Sequence, residues 1–135
     1  MALSTRKSAE VQFACMPYSK LTHPALGPSI LKTCLNNNGI GCDISYYTYD
    51  FADLIGVQSY TKLLNASTPG LLGEWTFARS AFGSGFIESK FDEHGCKLPG
   101  AQDLDLISDI ASEWIEELAN TISSAPPRIL ICSSM

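Results

Sequence analysis

Short apolar runs of strand length alternate along this chain with longer stretches whose apolar residues recur at helical spacing. Val11-Gln12-Phe13-Ala14-Cys15-Met16, apolar, aromatic and closed by Pro17, predicts a first strand. A helix follows, with Pro28 at a suitable first position, Ile30, Leu31, Cys34 and Leu35 as its repeat, and Asn36-Asn37-Asn38-Gly39 as its stop. The alternating Cys42-Asp43-Ile44-Ser45-Tyr46-Tyr47-Thr48-Tyr49 predicts a second strand, entering a helix over Phe51 to Ile55 with Asp50 as N-cap.

Between Gly56 and Gly100, Gly, Pro and Ser break the apolar pattern into pieces, which predicts a helical insertion. Its helices are expected over Val57 to Leu64, Leu72 to Phe82 and Phe86 to Glu93. After Pro99-Gly100, Leu104, Ile107, Ala111, Trp114, Ile115, Leu118 and Ile122 form one apolar stripe, with Asp105, Asp109, Glu113, Glu116 and Glu117 off it. This is a helix of about five turns. Asp103 and Asp105 suit the positive end of its dipole, so a solvated acidic face explains these carboxylates better than paired catalytic acids do. Pro126-Pro127 then stops the helix, and Ile129 to Cys132, with no polar position, predicts a short buried third strand leading into Ser133, Ser134 and Met135.

Strands separated by helices pair in parallel through right-handed crossovers. The expected fold is therefore α/β, a doubly wound sheet of flavodoxin-like type spanning residues 11–135, preceded by a flexible arm over residues 1–10. Such sheets usually hold about five strands, so this one is expected to be partial, cut short after about the third. The edge of its last strand is expected to be unpaired and open to self-association.

Composition narrows the function classes. The chain has 135 residues, 9 Lys and Arg against 14 Asp and Glu, and a net charge of -5. Its basic residues are scattered, which argues against nucleic acid as a partner. The first ten residues, MALSTRKSAE, lack the apolar segment of a secretory signal, and no stretch reads as a membrane span. A cytoplasmic protein with reduced thiols is expected. Five cysteines, Cys15, Cys34, Cys42, Cys96 and Cys132, include no C-x-x-C pair, and His23 and His94 fall outside zinc spacings, so no metal site is expected. A nucleotide loop is also missing, since no G-x-G-x-x-G follows the first strand and Gly83-Ser84-Gly85 follows a helix.

In doubly wound sheets ligands sit past the carboxyl ends of the strands, at the point where strand order reverses. The candidate cofactor-binding residues are therefore Met16, Pro17, Tyr18 and Ser19 after the first strand, with Ser133 and Ser134 after the third. Each also has a plain structural role open to it: Tyr18 as a cap on the core edge, Ser133-Ser134 as a turn. His23 is the imidazole nearest that face, and a lone loop histidine is more often solvated. Gly27 relieves the turn before Pro28.

The stretches MPYSKLTHPALGPSILKTCL, YYTYDFADLIGVQSY, LLGEWTFARSAFG and ILICSSM carry a resemblance running from about Val11 to Met135. Together they resemble the amino-terminal region of the radical SAM proteins that mature ribosomally made peptides, enzymes similar to cobalamin-dependent C-methyltransferases. The resemblance implies a cobalamin-binding-like domain, followed in the family by a barrel with a C-x-x-x-C-x-x-C motif for a [4Fe-4S] cluster that cleaves S-adenosylmethionine. It implies a precursor peptide as partner and cobalamin as a possible cofactor. The cysteines here never adopt the cluster spacing, so cluster and S-adenosylmethionine chemistry is expected in a part of the enzyme beyond these residues, with no catalytic residue in this chain. No D-x-H-x-x-G stretch supplies a histidine to cobalt, and with three strands only, weak corrin binding or none is expected. The alternative is a stand-alone, non-catalytic module that binds a precursor peptide or partner protein through Trp75, Phe77 and Phe82.

Overall fold

A computed structural model describes residues 9–65, 72–83 and 101–133. Three strands, β1 (Val11–Cys15), β2 (Cys42–Ser45) and β3 (Ile129–Ser133), form one parallel sheet in the order β2-β1-β3. Helix α1 (Leu26–Asn37) carries the crossover from β1 to β2. The return to β3 runs through α2 (Tyr47–Ile55), α3 (Val57–Asn65), α4 (Leu72–Phe82) and α5 (Ala101–Ser124). The expected parallel α/β architecture is present; the short helix expected over Phe86 to Glu93 and the first eight residues of the expected arm lie outside the described residues.

Two compact units result. Residues 1–50 and 120–135 form one, and residues 51–119 the other. In the first, β1 is the central strand and almost wholly buried, whereas β3, expected to be buried, has only β1 as a neighbour among the described residues and is exposed from Ile129 to Cys132. Parallel register puts Val11, Phe13 and Cys15 on one face with Cys42 and Ile44, and there Val11, Phe13 and Cys42 build a core against which Leu35 of α1 and Ile44 pack. Gln12, on the opposite face, donates from Nε2 to Ser45 Oγ at 2.8 Å and to Tyr47 OH at 3.2 Å. A polar residue in a central strand is thereby satisfied by side chains at the far end of its neighbour.

Helix α1 ends as Asn36-Asn37-Asn38-Gly39 requires. Gly39 takes φ +79°, its N–H bonds Asn36 O at 3.1 Å, and the Ile40 N–H bonds Leu35 O at 3.0 Å. These two bonds make a Schellman motif, which satisfies carbonyls the helix leaves open and needs a residue free of Cβ at the left-handed position. The start differs from expectation. The helix begins at Leu26 with Ala25 as N-cap, so Pro28 lies at the third helical position, where its missing N–H still costs no intrahelical bond. Ser29 supplies the local tie, its Oγ donating to Ala25 O at 2.8 Å.

The second strand is shorter than its alternation suggests. β2 ends at Ser45 and α2 starts at Tyr47, which moves Asp50 from N-cap to the first turn of the helix. Buried Thr48 and the ring contact of Tyr46 with Tyr49, 5.5 Å between centroids, belong to this strand-to-helix corner. β-branched and aromatic residues here serve tertiary contacts, which override strand propensity.

In the second unit Phe51 is fully buried, its ring 5.2 Å from that of Phe77 and 4.9 Å from that of Trp114, with Phe77 and Trp114 6.2 Å apart. Tyr60, Ala78, Ile107, Ala111 and Leu118 are buried as well. The apolar stripe of α5 thus faces inward at Ile107, Ala111 and Leu118, while Leu106, off the stripe, is exposed. α5 runs 24 residues, two turns longer than the expected five. Its carboxylates at Asp105 and Asp109, one turn apart, both pair with Arg79 of α4, the former at 3.1 Å. No helix among the described residues is long and apolar enough to cross a membrane.

Candidate functional site

The sheet order decides where a ligand can approach. From β1 the chain crosses to β2 on one side, then returns past β1 to β3 on the other. The carboxyl ends of β1 and β3 therefore lie side by side at one edge of the sheet.

Met16, Pro17, Tyr18 and Ser19 lie at this edge, directly after β1 and all half-buried. Ser133 is the last residue of β3 and is paired in register with Cys15. The Met16 N–H donates to Ser133 O at 3.3 Å, extending the ladder by one bond into the loop. The Ser133 hydroxyl reaches Ala14 O at 3.4 Å and also hydrogen-bonds the Cys15 thiol. Five of the six residues expected at the site are thus brought to one edge, and Ser134 lies outside the described residues.

Of the two cysteines in apolar strand runs, Cys15 is buried at the end of the central strand, whereas Cys132 is exposed. Burial pushes the Cys15 thiol above the ordinary cysteine range, and the hydrogen bond from Ser133 draws it partly back. It is a neutral thiol at pH 7, a packing group and not a nucleophile. Cys42 is raised too, by burial first, with Lys32 lowering and Asp43 raising it. The Lys32 ammonium and the Asp43 carboxylate are 2.9 Å apart, tying α1 to β2.

Beyond Ser19 the loop turns outward. His23 is exposed, its Nδ1 2.8 Å from Thr22 Oγ1, and Tyr49 OH donates to Leu21 O at 3.4 Å. The second bond anchors the loop after β1 to the corner after β2. That link joins residues 28 apart, and no local pattern announces it.

The side chains of Tyr18, Ser19 and Ser133 at this edge are polar and uncharged. They supply no imidazole at the ends of β1 or β3, and no group of three His, Cys, Asp or Glu able to hold a metal occurs among the described residues. Of the aromatic trio, Phe77 packs with Phe51 and Trp114, Trp75 is half-buried, and Phe82 is 67% exposed. Comparison with protein-family models, with curated proteins and with solved structures gives no match, so the chain's own residues carry the functional interpretation.

Proposed function

We propose that this chain is the amino-terminal, cobalamin-binding-like region of a radical SAM enzyme that modifies a ribosomally made precursor peptide, by C-methylation. The resemblance of MPYSKLTHPALGPSILKTCL, YYTYDFADLIGVQSY and LLGEWTFARSAFG supplies the family. The supporting observation is the parallel order β2-β1-β3, with Met16 to Ser19 and Ser133 meeting at its carboxyl edge. This is the order and the edge at which flavodoxin-like domains hold a cofactor.

In such an enzyme the present residues contact the corrin rim and hold it against the sheet. Cluster and S-adenosylmethionine belong to a separate barrel, because the cysteine spacing here does not serve them. Cytoplasmic residence follows from the same reading, as reduced cysteines and the cluster both require a reducing compartment.

Sequencing the source DNA around the coding region tests the family. A barrel with C-x-x-x-C-x-x-C, in frame with this chain or in an adjacent gene, is expected; its absence from both overturns the proposal. Titration with hydroxocobalamin, followed by the visible corrin band, tests the ligand. Three strands border a corrin on one side only, so half-saturation is expected above about 10 µM, weakening several-fold in Ser133→Leu. Equal uptake by the variant would remove the switch-point edge from the binding site, and no uptake at all would remove the corrin.

A further inference from the structure

β1 ends at Cys15 and α1 begins at Leu26, so residues 16–25 form a loop longer than the roughly 2 to 6 residues usual between a strand and a helix. Both of its ends are fixed. At the start the Met16 N–H donates to Ser133 O at 3.3 Å, and at the finish Ala25 O accepts from the Ser29 N–H at 3.1 Å and from Ser29 Oγ at 2.8 Å. Between them the loop changes character. Met16 to Ser19 are half-buried, whereas Lys20, Thr22, His23 and Pro24 are exposed, with half-buried Leu21 in their midst. The contact of Thr22 with His23 stays inside the loop. From Lys20 to Pro24, one hydrogen bond among the described residues reaches another element, that from Tyr49 OH to Leu21 O, and at 3.4 Å it is long.

The corner that offers this bond is firmly held. Tyr47 OH accepts from Gln12 Nε2 of the central strand at 3.2 Å, Thr48 is buried, and the Tyr49 N–H donates to Tyr46 O at 3.1 Å. The ring of Tyr49 lies 5.5 Å from that of Tyr46, while Tyr49 remains 43% exposed. Water therefore reaches the phenol and competes with Leu21 O for it, which makes the tie weak and reversible.

We infer that residues 17–24 are a strap at the carboxyl edge of the sheet, and that the Tyr49 phenol is the latch that holds it closed. A span fixed at both ends and tied once between them is freed by breaking one bond, and the sheet, the corner and α1 keep their own contacts meanwhile. The open form is thus a local state, reached without unfolding. In it Tyr18 and Ser19, candidate residues of the site, leave the edge together with Lys20 and Leu21. The strap opens whatever ligand the edge takes, so the inference stands or falls apart from the corrin reading.

Limited proteolysis of the whole chain reads the opening, because a protease needs its substrate extended and cuts in proportion to the open population. Trypsin at Lys20–Leu21 samples the middle of the strap, and the latch occupies the carbonyl just past that bond. Chymotrypsin at Tyr18–Ser19 samples its half-buried part. Lys32–Thr33 in α1 and Phe13–Ala14 in β1 are the reference bonds, cut only when helix or sheet opens. Tyr49→Phe deletes the phenol and keeps the ring; initial rates at both strap bonds should rise together, about two- to fivefold, with the reference bonds unchanged. Tyr46→Phe, which deletes a phenol outside the latch, should be cut like wild type. Wild-type rates in Tyr49→Phe overturn the inference, and so does an equal rise in Tyr46→Phe. A rise at Lys20–Leu21 alone overturns it too, since Tyr49 would then hold only the tip of the loop. An equal rise at strap and reference bonds also overturns it, because Tyr49 would then support the sheet as a whole and not the strap.

Discussion

Ser108 is buried in α5, 3% exposed, and its hydroxyl has no partner among the described residues. A buried donor without an acceptor costs about 1 to 3 kcal/mol, so Ser108→Ala should stabilise the protein by about 1 kcal/mol; thermal unfolding monitored by circular dichroism measures it. Cys15 makes the opposite case, a polar group held by both burial and Ser133. Because its thiol is raised in the fold, the unfolded chain releases that proton first as pH climbs. The stability it contributes is intact below about pH 8.5 and is lost as pH rises through the raised folded value. Urea unfolding between pH 7 and 10 should show this decline, smaller in Cys15→Ala. Alkylation of the native protein at pH 8 should label exposed Cys34 and Cys132 first and spare Cys15 and Cys42, as read by peptide mass mapping.

At the scale of elements, the chain is held by caps and ring contacts that its sequence announces unevenly. Gly39→Ala places a Cβ at φ +79°, so a loss of about 1 kcal/mol is expected even though nothing lies within 4 Å of the added atom. Phe51→Ala should cost about 3 to 5 kcal/mol, since it empties the contact between Phe77 and Trp114. Denaturant titration checks both. The end of α1 was legible because Asn-Asn-Asn-Gly has a single common use. The end of β2 was not, because Tyr46 to Tyr49 alternates like a strand while its residues serve a corner built with Leu21. The partners of Asp105 and Asp109 were equally hidden, since their cation lies 30 positions from the farther carboxylate.

For the whole molecule, charge and edge set behaviour in solution. With a net charge of -5 and pI near 4.8, electrostatic repulsion between copies falls as pH drops toward 5. Exposed apolar residues on α1 and β3 then have little to oppose them. Light scattering at fixed concentration should rise steeply between about pH 6 and 5, and less steeply in Ile131→Glu, which adds negative charge to the exposed strand.

Local chemistry determined where the elements of this protein lie: turn residues stop helices at one place, a stripe of apolar residues commits α5 to one face, and an apolar run after two prolines commits to a strand. Right-handed crossovers then carried the argument as far as a parallel sheet. Tertiary structure alone decided the strand order and register. These depend on which backbone groups find partners more than 100 residues away, as the bond from Ile129 N–H to Glu10 O shows. Only from that order do Met16 to Ser19 and Ser133 become neighbours, Cys15 become the buried floor beneath them, and β3, expected as a buried strand, become an exposed edge with Leu130 and Cys132 unpaired. A sequence pattern records which residues avoid water, but not which strand is left without a neighbour to keep water away.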